Sequence, residues 1–200
     1  MIVAFCFATQ LVPAGCEAKA NNKDYLVLFT IILLLLTMKK EAKCHDVYLG
    51  LGTNLGDKKN NISRAISNIE NKIGEVVSVS GLYETDPQGF NSDNMFINAA
   101  CHVRTAMSAE EVLFATQEIE KKMGRTLKSV NRVYSDRIID IDILMYDDLV
   151  YESDILVLPH PHLHERDFVI TPLSDIASSV LHPVLKKTIE ELKTLNDLRK

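Results

Sequence analysis

No CxxC pair, no excess of basic residues and no apolar run of membrane-spanning length occurs in these 200 residues. Each absence excludes something. The four cysteines, Cys6, Cys16, Cys44 and Cys101, are far apart and form no Cys/His metal spacing, which points to a reduced, cytoplasmic chain. With 22 Lys and Arg against 27 Asp and Glu, the formal net charge is −5, so nothing draws the molecule as a whole to nucleic acid. Any phosphate site has to be local. The apolar stretch from Tyr25 to Met38, YLVLFTIILLLLTM, has 14 residues where a spanning helix needs about 20, so no stable membrane association is expected. LVPAGC, Leu11 to Cys16, is a poor lipoprotein cleavage site, because Pro13 stands where an aliphatic residue belongs and no Lys or Arg precedes it.

What is present suits one compact domain: 46% of residues are hydrophobic and 24% charged. Residues 1–43 read as an N-terminal extension outside the fold, with Met38 before KKEAKCHDVYLG as a plausible start, and 44–200 read as the domain. Val47–Leu51 forms a short strand that breaks into a glycine-rich loop at Gly52. Ile62, Ile66, Ile69 and Ile73 then make one apolar helical stripe, stopped by Gly74. Val76–Thr85 and MFINAACHVRT are two further strands. Ser108 with Glu111 forms a capping box for a helix whose stripe is Val112, Thr116, Ile119 and Met123, ended by Gly124. A basic loop follows, then the strand RIIDIDILMY, then a turn at Asp147 and Asp148 into LVYES as a hairpin. The order predicts an α+β fold of ferredoxin-like, split βαβ type: an antiparallel sheet with helices packed on one face, a hairpin and a helical C-terminal tail.

RIIDIDILMY, Arg137 to Tyr146, carries the chemistry. Alternation along a strand puts Asp140 and Asp142 on one face and Ile139, Ile141 and Ile143 on the other. Two carboxylates about 6 to 7 Å apart on one face repel each other, and a divalent cation would relieve that. A solvated polar face is the plainer alternative. Arg125, Lys128 and Arg132 in the preceding loop, Arg137 on the strand and Arg166 beyond it add the positive charge that phosphoryl transfer needs, or form ordinary surface ion pairs. GLGTNLG, Gly50 to Gly56, has neither the dinucleotide-binding spacing nor the ending of a P-loop, and is read as a structural turn. PHPHLH suggests zinc through His160, His162 and His164, but without a cysteine partner a single histidine donating to phosphate is at least as good a reading. Gln117 and Glu120, a helical turn apart and off the apolar stripe, read from spacing alone as facing water.

With RIIDIDIL, GTNLG, YETDPQG, FINAA, TQEIEKKMGR and LPHPHLHERDFVITPL in this order, the sequence resembles the 6-hydroxymethyl-7,8-dihydropterin pyrophosphokinase family from Asp46 to the C-terminus. The resemblance implies transfer of pyrophosphate from ATP to the pterin hydroxymethyl oxygen, a step of folate biosynthesis, by a monomer. It implies two Mg²⁺ ions held by Asp140 and Asp142, and Arg125 and Arg137 beside the phosphates. Gln117, Glu120, Arg137, Ile143 and His160 would contact the nucleotide. Thr85, Gln88, Phe96, Asn98, Tyr134 and Phe168 would form the pterin site, with Phe96 and Phe168 stacking on the ring. The chain departs from the common pattern in a longer GRTLKSVNRVYSDR loop, in Tyr134, Ser135 and Asp136, and in Asp86 and Gln88 of the pterin loop. Two other functions fit the residues alone: a metal-dependent phosphohydrolase using the histidines, and a non-enzymatic ligand-binding domain.

Overall fold

Residues 43–88, 92–125 and 136–199 are described in this computed structural model. The expectations about residues 1–42, Lys128, Arg132 and Tyr134 fall outside them. In chain order the elements are β1 (His45–Thr53), α1 (Lys58–Lys72), β2 (Glu75–Val79), β3 (Tyr83–Thr85), β4 (Phe96–Thr105), α2 (Ala109–Lys122), β5 (Asp140–Tyr146), β6 (Tyr151–Glu152), β7 (Val157–Leu158), α3 (Asp167–Ala177) and α4 (Ile189–Asp197). The main sheet runs β2-β4-β1-β5, every neighbouring pair antiparallel, with β3 added beside β4. The α+β class is as expected.

Both long helices form where their stripes and caps predict. Asp57 caps α1 by accepting from the Asn60 N–H, and the Ser108/Glu111 capping box opens α2. Their apolar faces bury Ile62, Ile69, Val112 and Ile119 against Leu49, Leu51, Cys101, Ile141 and Ile143 of the sheet. Each such side chain contributes roughly 1.5–3 kcal/mol by leaving water.

The opposite face is not left to solvent. Tyr48, Ala100, Leu144 and Met145 pack there with Leu163, Ile170, Leu173, Ile189 and Leu192, so α3 and α4 cover it, where helices on one face alone were expected. A β-bulge explains how β5 serves both sides: the register against β1 slips between Tyr48 and Leu49, and Leu144 and Met145 both join the second cluster. Two further differences have local causes. The expected Val76–Thr85 strand breaks at Gly81, whose N–H donates to the Asp175 carboxylate on α3, leaving β2 and β3 as separate partners of β4. The turn at Asp147 exists, but β6 pairs with β7 and not with β5. Asp147 is tied back to β1 instead, its N–H to Asp46 O (2.7 Å) and its carboxylate to the Asp46 N–H and His45.

Cys101 is buried in the helix-covered core, and burial pushes its thiol up to about 12, whereas Cys44 is exposed. Since the thiolate is the reactive form, brief alkylation of the native protein at pH 8 should label the peptide containing Cys44 and leave Cys101 unmodified until denaturant is added; peptide mass spectrometry distinguishes the two.

Candidate active site

The strand alternation of β5 does what its sequence dictates. Ile139, Ile141 and Ile143 are buried in the core, and Asp140 and Asp142 face a cavity of about 640 Å³ on the other side of the sheet. Asp140 is held from two directions: Arg137 Nη1 donates to its Oδ2 (2.6 Å), and Arg125 Nη1 to its Oδ1. Asp142 is open to the cavity, yet lies deep enough among protein atoms that desolvation, and then the charge on Asp140, push its carboxyl up to about 7. Arg137, Arg125 and Arg166 pull the other way. Two like charges thus stand side by side, one neutralised by arginines and the other incompletely.

Behind them, Glu120 of α2 corrects the expectation that it faces water. It is 8% exposed, accepts the Ile141 N–H at 2.8 Å and holds Arg125, so it anchors α2 to β5 and aims the guanidinium. Desolvation raises its pKa as well. Helical spacing could not show this, because the partner is 21 residues away on another element. Gln117 is half-buried on the same helix and, like Glu120 and Ile143, lies outside the cavity wall. The Ile143 side chain belongs to the core, which leaves only its backbone for a ligand.

Thr85, Gln88, Phe96, Asn98 and Phe168 all line the same cavity. The Asn98 amide donates to Thr85 Oγ1 (2.8 Å) and is 5% exposed, its orientation fixed by the pairing of β3 with β4. A Cβ at Gly52, on the adjacent strand, would come within 3.2 Å of Asn98 Oδ1, so glycine keeps this corner open. Each phenylalanine lies beneath a guanidinium: Arg137 at 5.5 Å from the Phe96 centroid and Arg166 at 5.8 Å from that of Phe168. Sequence reasoning counted Arg166 as nearby charge but gave it no place in the site; its position two residues before Phe168 was the available signal.

Of the three histidines, His160 and His162 both line the cavity, with ring centroids 6.1 Å apart, and His164 does not. His160 lines the cavity with its N–H bonded to Leu144 O (2.9 Å), and burial together with Arg166 lowers its pKa to about 4, so the ring is neutral at pH 7. His162 pairs with Glu165 at 2.7 Å, and His164 meets His182 edge-on at 6.1 Å. Among the described residues no group of three or more His, Cys, Asp or Glu side chains is gathered as a metal site.

Paired carboxylates, convergent arginines and an aromatic wall with a buried amide are thus gathered in one cavity. A family model described as 7,8-dihydro-6-hydroxymethylpterin-pyrophosphokinase matches residues 48–178, a range that contains the whole cavity wall. The chain belongs to this family. It is 46% identical over 140 residues to the 2-amino-4-hydroxy-6-hydroxymethyldihydropteridine pyrophosphokinase of Porphyromonas gingivalis, covering 68% of this chain and 93% of that one. Its identity to the pyrophosphokinase of the same name from Aquifex aeolicus is 37% over 153 residues, covering 76% of this chain and 93% of the relative. Among solved structures, the HPPK-DHPS protein of Plasmodium falciparum superposes with a TM-score of 0.64 at 18% identity, over 78% of this chain. The chain spans only 45% of that longer protein, and the likeness there is one of fold. Among the described residues no helix is long and apolar enough to cross a membrane.

Proposed function

We propose that the protein transfers the terminal pyrophosphoryl group of ATP to the hydroxymethyl oxygen of 6-hydroxymethyl-7,8-dihydropterin, giving AMP and the pterin diphosphate used in folate biosynthesis. The observation that carries this reading is the single cavity in which Asp140, Asp142, Arg125 and Arg137 share a wall with Phe96, Asn98 and Phe168. The acceptor oxygen attacks the β-phosphorus, the bond from that phosphorus to the oxygen shared with the α-phosphate breaks, AMP leaves with the electron pair, and the hydroxyl proton passes to water.

In this reading each group has a task. Arg125 and Arg137, now neutralising Asp140, turn part of their charge to the phosphate oxygens, where in-line displacement develops negative charge. Neutral His160 donates a hydrogen bond to the nucleotide without adding charge. Phe96 and Phe168 stack on the pterin ring, and Asn98 reads its amide-like edge. Gln117 and Glu120 serve the nucleotide side, Glu120 through Arg125 and not by direct contact. Gln88, Thr85 and the backbone of Ile143 complete the two subsites, and the family resemblance assigns Tyr134, outside the described residues, to the pterin.

The donor set suits Mg²⁺. Two carboxylate groups on one face, with the pKa of Asp142 raised by desolvation and then by the charge of its neighbour, gain from a hard cation between them, and two protein ligands leave room for water and phosphate oxygens. Asp140 and Asp142 would hold it, two ions being expected, and when bound it supplies charge neutralisation on the triphosphate. We further assign the four strands β1, β2, β4 and β5 with α1 and α2 to the ferredoxin-like arrangement, on the basis of their order and antiparallel pairing, and expect a cytoplasmic monomer.

The test is chromatography of ATP, Mg²⁺ and the pterin incubated with the protein. AMP appearing only when the pterin is present supports the transfer; ADP, or phosphate released without pterin, favours a kinase or the hydrolase reading. Asn98→Ala should leave Thr85 without its partner and lower kcat/KM for the pterin roughly 10- to 100-fold, on the usual 1–3 kcal/mol for an unpaired buried polar group. KM for ATP should stay near the wild-type value in the same steady-state assay.

A further inference from the structure

Just before Arg137 lies a carboxylate that the mechanism above does not use. Asp136 Oδ1 accepts from Asn54 Nδ2 (2.6 Å) and from Ser92 Oγ (2.6 Å), and its Oδ2 accepts from Asn94 Nδ2 (2.7 Å). One side chain thereby joins three stretches of chain: the end of β1, the segment leading into β4, and the approach to β5. The hydrogen bonds continue to its neighbour. Asn54 is 3% exposed, its Oδ1 accepts the Arg137 N–H at 2.8 Å, and its own N–H donates to Arg137 O at 3.1 Å. Both backbone groups of Arg137 are therefore clamped by Asn54, and Asn54 is itself oriented by Asp136. Ser92 also accepts the Asn94 N–H (3.1 Å), so the segment that bonds to Asp136 is organised around it.

We propose that Asp136 is a positioning residue for the transfer, acting through Asn54 to fix the Arg137 backbone and so the guanidinium that lies over Phe96 and pairs with Asp140. The proposal rests on the functional reading given above. Its chemistry is that of a carboxylate accepting from three neutral donors, a role in which the charged form is favoured: the bonds from Ser92, Asn54 and Asn94 hold the Asp136 carboxyl below its ordinary range. Because Ser92 and Asn94 immediately precede the strand that carries Phe96 and Asn98, the same hub ties the aromatic wall to the arginine. A misplacement of about 1 Å at a group stabilising the transition state can lower the rate on the order of 100-fold.

The experiment compares the full chain with Asp136→Ala and with Asp136→Asn, which keeps the shape but exchanges one acceptor for a donor. Two readouts are taken. In amide hydrogen exchange followed residue by residue by NMR, both variants should lose protection at Arg137 and Asn54 by roughly tenfold or more while the α1 and α2 amides keep theirs. In the AMP assay, kcat should fall roughly 10- to 100-fold with both KM values changed less than about threefold, the pattern of an interaction made in the transition state. Asp136→Asn serves if Asp136→Ala fails to fold. Unchanged protection at Arg137 in the variants overturns the proposal whatever the activity, and so does a wild-type kcat despite lost protection. Failure of the wild-type protein to form AMP would overturn the functional reading instead, while the exchange readout would still decide whether Asp136 holds Arg137.

Discussion

Asp142→Ala is expected to lower turnover by roughly 10³-fold or more while the protein stays folded. Loss of a metal ligand at a site of charge neutralisation removes several kcal/mol of transition-state stabilisation, and each 1.36 kcal/mol is a factor of ten. Asp142 is the better choice of the pair for this test. Asp140 bonds Arg125 and Arg137, so its removal would break two ion pairs that order the site, whereas among the described residues no side-chain hydrogen bond of Asp142 binds the fold in this way. Stability should move in the opposite direction from activity. The native Asp142 carboxyl, raised to about 7, keeps its proton where an unfolded aspartate near 3.9 has lost it. Between those pH values the folded state binds more protons, so metal-free stability falls as pH rises from about 4 to about 7, and the loss is complete above that window. Glu120, also raised, acts in the same direction and remains in the variant. Thermal unfolding at pH 5 and pH 8 without Mg²⁺ should therefore show a smaller drop for Asp142→Ala than for wild type. Near-normal turnover in the folded variant would remove the metal-ligand assignment.

Gly74→Ala should be among the most destabilising single-methyl additions in the molecule. A Cβ at this position would lie 2.1 Å from the backbone oxygen of Arg104 and 3.1 Å from Thr105 Cα. Neither atom belongs to a side chain that could rotate away. The junction of α1 with β2 would have to move off β4, where Glu75 already pairs with Arg104. Overpacking commonly costs about 1–3 kcal/mol, and a clash with backbone belongs at or beyond the upper end. At roughly 2–4 °C per kcal/mol for a domain of this size, a fall in Tm of about 6 °C or more is expected by calorimetry. Gly124→Ala makes a useful comparison, because Gly124 needs glycine for its φ of 104° and, among the described residues, its added Cβ would meet only the flexible end of Ile138 at 3.2 Å. A Gly74→Ala protein that melts with wild type would show that the close approach is absent.

The pattern in β5 was readable because its causes are local. Period-two alternation alone puts Asp140 and Asp142 opposite three isoleucines, and a capping box needs only Ser108 and Glu111 three residues apart. Gly74 shows where such reading stops. It reads as a helix stop, and it does follow α1, but the demand for glycine comes from Arg104 across the sheet. Glu120, Asp136 and Asp147 are alike in this respect: each looks like an exposed acid in the sequence, and each is claimed by partners 21 to 102 residues away. The second sheet face escaped notice for a related reason, since the bulge that places both Leu144 and Met145 there is a property of the pairing with β1 and not of either strand alone. The pterin-side residues came from family resemblance, and spacing alone would have left Phe96 and Asn98 as ordinary members of a buried strand.

The most direct measurement follows the transferred atoms. The protein is given ATP carrying one isotope label in the β-phosphoryl group and another in the γ-phosphoryl group, with Mg²⁺ and the hydroxymethyl pterin, and the products are weighed by mass spectrometry. Pyrophosphoryl transfer predicts both labels together on the pterin and unlabelled AMP in equal amount. A pterin carrying the γ label alone, or labels appearing only in free phosphate or pyrophosphate, would contradict it.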